Sequence, residues 1–199
     1  MMTLKELSKY CGIDPSREHL CTPFNFNGRS MATNGHLLIS APEIAGLDDI
    51  AERIKDRVGM LLNTEGDFEP IPPDLELPDT APCAACHSSG KVSWIEREEC
   101  DGEGEALAEN DYNEYCVDCK SCGGEGGKKI AGDDIRCERC HGTGNCYPFD
   151  AIVTICGVTV APHYAKQVLA FPDLEGFGKD DALYFKSGEI NGILMGTRI

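Results

Sequence analysis

Eight of the chain's twelve cysteines fall in one stretch, Cys83 to Gly144, in or beside short knuckles. Cys83-Ala-Ala-Cys86-His-Ser-Ser-Gly90 opens it, and Cys100-Asp-Gly-Glu-Gly104 follows. Cys116-Val-Asp-Cys119-Lys-Ser-Cys122-Gly-Gly-Glu-Gly126 comes next, and Cys137-Glu-Arg-Cys140-His-Gly-Thr-Gly144 closes it. The repeated unit is C-x-x-C-x-G-x-G. Two thiolates two residues apart grip one metal ion from a tight turn, and the glycines after them allow positive φ and bring backbone N–H groups close to the sulfurs. Two knuckles supply four sulfurs, the closed tetrahedral set of a structural zinc site.

Twelve cysteines in 199 residues also suit a disulfide scaffold. The segment from Met1 to Tyr10 is charged and mixed, without the apolar run of a signal peptide. Paired knuckles in such a chain are expected to bind metal in a reducing, cytoplasmic compartment. No apolar run reaches the roughly 20 residues of a membrane span, so no membrane association is expected. The formal net charge is −16, and two zinc ions held by eight thiolates would take it to about −20. Such a charge opposes nucleic-acid phosphates and favours a protein partner with a basic face.

A catalytic set is not evident. His87 and His141 follow knuckle cysteines, and His36 has no identifiable nucleophile beside it. There is no phosphate-binding glycine loop. A zinc closed by four thiolates has no position for water, so no enzymatic activity is expected.

The elements that must position the knuckles read as follows. Thr3–Tyr10 is expected as a short helix capped by Thr3. Two strands follow, 21–26 and 30–41, with a hairpin signal at Asn27-Gly28 and a further tight turn possible at Asn34-Gly35. Residues 47–62 carry Ile50, Ile54, Val58, Leu61 and Leu62 as one apolar stripe of a helix, flanked by Arg53, Lys55, Asp56 and Arg57. The proline-rich, acidic segment 64–82 is expected to be an extended linker without regular elements. Within the cysteine-rich stretch, 96–114 is acidic and expected as an exposed loop or hairpin. Residues 151–160 read as one buried strand with Cys156 as a core hydrophobe, as Cys11 and Cys21 are elsewhere. Cys146 lies beyond the last knuckle as a weaker candidate ligand. A helix from Pro162 to Phe171 and a hairpin of 182–186 with 190–197 complete the chain. The expected class is α+β: residues 1–79 and 148–199 form one domain, split by a zinc-binding module at 80–147.

The knuckle stretch resembles the cysteine-rich domain of DnaJ-type co-chaperones, in which repeats one and four share one zinc and repeats two and three share another. The resemblance implies an outer site of Cys83, Cys86, Cys137 and Cys140. It implies an inner site containing Cys100, Cys119 and Cys122. The remaining inner position falls at 97, which is Arg97, and Cys116 is the expected substitute. Ser88 stands where repeat one would have its first glycine. The resemblance covers about a third of the chain and includes no J-domain signature.

The flanking segments resemble a domain of bacterial DNA sliding clamps, the replicase β subunit. Ala32-Thr33-Asn34-Gly35-His36-Leu37 is similar to a clamp strand, and Leu194-Met195-Gly196-Thr197-Arg198 sits where the family has its terminal strand, with Gly196 replacing proline. In clamps, helices of this type face DNA with basic residues, here Lys5, Lys9 and Lys166. This chain supplies a single such domain, so a ring would need a homo-oligomer or partner chains. Together the resemblances imply a non-enzymatic interaction protein of DNA replication, repair or phage–host conflict, with an acidic surface acting as a DNA mimic. A DnaJ-like module for unfolded polypeptides is the alternative, and a C-x-x-C thiol–disulfide protein a third.

Overall fold

The computed structural model describes residues 2–13, 15–62 and 64–197, with the backbone alone at residues 15, 16, 53 and 61. The chain divides into two compact units, Met1–Pro78 with Asp150–Ile199, and Asp79–Phe149.

The first unit begins with helix α1 (Leu4–Leu7), which tightens into a 3-10 turn at Ser8–Tyr10. The Thr3 hydroxyl accepts from the Glu6 N–H, and the Glu6 carboxylate accepts from the Thr3 N–H at 2.8 Å, a reciprocal cap. A 3-10 segment (Pro15–Leu20) leads to strands β1 (Phe24–Phe26), β2 (Arg29–Thr33) and β3 (Leu37–Pro42), then helix α2 (Glu52–Leu62) and the short strand β4 (Glu69–Pro70). Strands β5 (Ala81–Pro82), β6 (Lys91–Glu96), β7 (Glu105–Glu109), β8 (Glu114–Asp118), β9 (Gly127–Ala131), β10 (Ile135–Arg136) and β11 (Asn145–Cys146) belong to the second unit. The chain then returns to the first unit with β12 (Val153–Ile155), β13 (Val158–Val160), helix α3 (Pro162–Leu169), β14 (Glu175–Lys179), β15 (Ala182–Ser187) and β16 (Ile190–Met195).

One seven-stranded antiparallel sheet organises the first unit, in the order β1-β2-β3-β16-β15-β14-β4. Its centre is the β3–β16 pairing, with Leu194 opposite Leu37 and Gly192 opposite Ile39. Strands from before and after the second unit therefore interleave in a single ladder. Both faces of the sheet are covered, so its central strands alternate between two apolar surroundings instead of between core and water. Leu37, Ile39, Leu183, Phe185 and Leu194 pack with α1, α3 and the β12–β13 hairpin through Leu7, Ala165, Val168, Val160 and their neighbours. Leu38, Ala182, Tyr184 and Ile193 face the other way, against Ile50 and Val58. The segments LLIS, ALYF and GILM read as continuous apolar runs for this reason.

The class is α+β with antiparallel sheets, and several elements differ in detail from the sequence reading. The expected strand 30–41 is two strands. Asn34 turns the chain between them, its side-chain oxygen accepting from the N–H groups of His36 and Leu37 at 2.9 Å. The helix expected from 47 starts at Glu52. The preceding residues are held extended, because Asn25 N–H donates to Asp48 O at 2.7 Å and Ile50 N–H donates to Asn25 O at 2.9 Å. Of the expected helix residues, the side chains of Leu61 in the stripe and of Arg53 beside it lie outside the described atoms. The proline-rich linker does contribute strands: Pro70 sits on the sheet edge, where a missing N–H costs no ladder bond.

The single strand expected over 151–160 is a hairpin turned by Cys156-Gly157, with φ of 48° and 77°. Cys156 is accordingly exposed and not part of the core, whereas Cys11 is buried and its thiol is pushed up to about 11 by that burial. Strand β14 escaped the sequence reading because Glu-Gly-Phe-Gly-Lys carries two glycines. Both are demanded by close neighbours: a Cβ at Gly178 would collide with the Cys156 carbonyl, and one at Gly176 would lie 2.8 Å from the Tyr184 carbonyl.

Leu194 is fully buried at the β3–β16 seam. Leu194→Ala is expected to cost about 2–5 kcal/mol of stability, seen as a lower midpoint in urea unfolding of the full chain.

Candidate metal centre

The second unit is a nested antiparallel hairpin. Its outermost rung pairs β5 with β11, its middle pairs β6 with both β9 and β10, and its tip pairs β7 with β8. The knuckles are the breaks between rungs. Residues 83–90 and 137–144 face each other between the outer and middle rungs, and residues 97–104 and 119–126 face each other between the middle rung and the tip.

The same backbone bonds recur at each knuckle. Cys83 N–H donates to Gly144 O and Cys137 N–H to Gly90 O, both at 2.9 Å. Cys119 N–H donates to Gly104 O and Arg97 N–H to Gly126 O, both at 2.8 Å. Within each knuckle the residue five positions on returns an N–H to the first carbonyl, as Ser88 does to Cys83 and Gly142 to Cys137, each at 3.1 Å. The glycine that ends each knuckle is required sterically as well as by its positive φ. A Cβ on Gly90 would strike the Gly142 carbonyl, and one on Gly144 the Ser88 carbonyl. Ser88 serves in the position where its counterparts are glycines, at φ 66°.

These bonds gather the sulfurs. Cys83, Cys86, Cys137 and Cys140 place their Sγ atoms within 4.8 Å of one another, and all four residues are buried. Sγ of Cys83 lies 3.9 Å from that of Cys137, and Sγ of Cys86 lies 3.6 Å from that of Cys140. A disulfide would require about 2.05 Å. A tetrahedral ion with metal–sulfur bonds of about 2.3 Å spaces its sulfurs roughly 3.8 Å apart. The outer group therefore fits a thiophilic metal ion. Backbone N–H groups already point at the sulfurs, from Gly90 to Cys86 and from Gly144 to Cys140, each at 3.3 Å.

Electrostatics give the same reading. Burial alone would push the Cys83 thiol up, but hydrogen bonds from the N–H groups of Cys86 and Ala85 and from the thiols of Cys146 and Cys86 bring it down to about 6. Burial pushes Cys137 up to about 12. Within the metal-free group Cys83 is thus the readier to ionise and Cys137 the more reluctant. A dication is what allows all four thiols to ionise.

The inner group contains three cysteines. Cys100, Cys119 and Cys122 place their sulfurs within 4.8 Å of one another, with 3.8 Å between Cys100 and Cys122. The Gly126 N–H donates to the Cys122 sulfur at 3.2 Å. Cys116 is not among them, which corrects its assignment as the fourth ligand. It lies in β8 opposite Leu107 and is exposed. Three residues of extended chain, at about 3.3 Å each, carry it roughly 10 Å from Cys119. Cys146, in β11, packs against the outer group, its Sγ 3.5 Å from the Arg139 carbonyl. His87 and His141 take positive φ in their turns and stand outside both groups.

Neither the protein-family models, nor the curated proteins, nor the solved structures contain a match to this chain. No helix among the described residues is long and apolar enough to cross a membrane.

Cys140→Ser is expected to remove metal from the outer group, whereas Cys116→Ser should leave the metal content unchanged. Native mass spectrometry of the two variants checks both. Lowering pH should release the metal, because protons compete for every thiolate.

Proposed function

We propose that this chain is a non-enzymatic protein-interaction factor whose knuckle unit is stapled by zinc and presents an acidic, apolar-tipped hairpin to a protein partner with a basic face. The observation that carries this reading is the β7–β8 hairpin. Leu107 is 78 % exposed and Tyr112 is 89 % exposed, and Tyr115 and Val117 are also exposed. Between Glu96 and Asp118 every charged side chain except Arg97 is a carboxylate. Aromatic and aliphatic groups within a charged rim make up the usual anatomy of a protein–protein interface. The same carboxylates repel the phosphates of nucleic acid.

Zinc is the metal that best suits thiolate-only groups at these spacings. Two ions per chain is the proposed stoichiometry, one in the outer four-cysteine group and one on Cys100, Cys119 and Cys122. The clamp-like reading of the first unit gains support from its two short motifs being neighbours. Met195 N–H donates to the His36 carbonyl at 2.8 Å, so the 32–37 and 194–197 segments lie side by side. Arg198, the last residue of that motif, lies outside the described residues. On this reading the partner belongs to DNA replication, repair or phage–host machinery, and the acidic unit occupies a surface that otherwise meets DNA.

A second reading is favoured by a separate observation. Trp94 and Ile135 stand exposed on one face of the β10-β6-β9 sheet and Ile95 and Ile130 on the other, apolar groups that unfolded polypeptides would meet in a DnaJ-like module. Suppression of client aggregation by the zinc-loaded protein would support that alternative.

Affinity capture from the native host, followed by a binding assay with the recovered partner, tests the first reading. Reversing Glu96, Glu98, Glu99, Asp101 and Glu103 to lysine is expected to weaken that binding, and added salt should weaken the wild-type interaction. The protein alone should show no measurable affinity for duplex DNA at about 0.15 M salt. A sub-micromolar gel shift would overturn the reading.

A further inference from the structure

The inner group has the backbone of a four-ligand site and the sulfurs of a three-ligand one. Arg97 makes the two bonds that define the first position of a knuckle. Its N–H donates to Gly126 O at 2.8 Å, and its carbonyl accepts from Gly102 N–H at 3.1 Å, as Cys83, Cys119 and Cys137 do in their own knuckles. Its Cα therefore stands where the fourth cysteine's would. Its Nε is buried and has no hydrogen-bond partner among the described residues. The side chain is half-buried and the Glu99 carboxylate already feels its charge, but a buried N–H donor without an acceptor is costly, and an anion is its natural complement.

The inner group also differs in access. All four outer cysteines are buried, whereas Cys122 is half-buried. A divalent ion on three thiolates keeps one tetrahedral position free and carries a net charge of −1. The donors already present are soft, which selects a fourth soft donor, and the Arg97 cation offsets the extra negative charge that such a donor brings.

Building on the zinc reading above, we infer that the inner centre is an open three-thiolate metal site whose fourth ligand is a thiolate from outside the chain, admitted beside Arg97. The incoming thiol loses its proton to solvent as its sulfur bonds the metal, and no oxidation is involved. The ligand is either a free low-molecular-weight thiol or a cysteine of another chain, with the exposed Cys116 of a second copy one such source.

The test uses the full chain loaded with cobalt(II), which reports thiolate number through its sulfur-to-metal absorption and tetrahedral geometry through its d–d bands. Titrating 2-mercaptoethanol into the loaded protein is expected to give a saturable rise in sulfur-to-cobalt absorption. Arg97→Cys completes the site internally. It should abolish the response and raise the inner site's affinity against a chelator by more than the roughly tenfold attributed to an outer-shell partner. A rise with protein concentration in thiol-free buffer, lost in Cys116→Ser, would identify a second copy as the ligand's source; a response to mercaptoethanol alone would identify a free thiol.

Two bound metals with a spectrum indifferent both to added thiol and to protein concentration would overturn the inference and leave the zinc reading standing. One metal only, bound by the outer group, would also overturn it, with the Arg97 cation replacing the ion. Absence of metal from both groups would overturn the zinc reading itself. The wild-type titration decides the matter even if Arg97→Cys fails to fold.

Discussion

The second unit depends on a conflict between burial and charge at the cysteine sulfurs. Four sulfurs within 4.8 Å of one another in a buried site cannot all ionise without a cation. Yet the backbone bonds that gather them run between the two knuckles, from each first residue to the partner's last glycine. The peptide scaffold thus prepares the geometry, while electrostatics leaves it incomplete until a dication arrives. Little else in this unit forms a core. Among the described residues Val92 is the only non-cysteine of its buried apolar cluster, so an ion held by the four cysteines would supply much of what holds the unit together.

The first unit solves a different problem by ordinary means. Its sheet buries both faces, one beneath α1, α3 and the β12–β13 hairpin and the other beneath α2. The β3–β16 pairing joins strands separated by more than a hundred residues of sequence, so the sheet cannot be completed until both flanks of the second unit are made. Such non-local pairing slows folding, because loop closure must precede the contacts that reward it.

Much of this was legible in the residues. The knuckle spacing located the sulfurs of both groups, because C-x-x-C with trailing glycines has few other uses. Asn27-Gly28, Pro162 and the 182–197 hairpin followed from turn chemistry and helix-start preferences that act locally. The possible turn at Asn34-Gly35 is present, whereas Cys156-Gly157 sits inside an apolar run, and a run buried on either side of a turn looks continuous in sequence. The glycines of β14 suggest a loop, yet they answer to neighbouring carbonyls supplied by distant segments. Cys116 failed as a ligand because a strand's extension carried it away, and strand extent at that point is fixed by pairing with β7 rather than by its own composition. At Arg97 the sequence showed only that a repeat was broken; the hydrogen bonds show that the turn itself was kept.

The nesting of the hairpin has a mechanical consequence. The chain enters and leaves the second unit through β5 and β11, which are hydrogen-bonded neighbours about 5 Å apart. Tension drawing residues 79 and 149 apart would therefore load the unit as a zipper, one rung at a time, and not in shear across a whole ladder. The first two-residue rung offers little resistance. Behind it stand the four sulfurs of the outer group, two on each side of the opening seam. A shared ion there would act as a clasp in the load path, shielding the middle strands and the acidic tip from any strain transmitted through the ends.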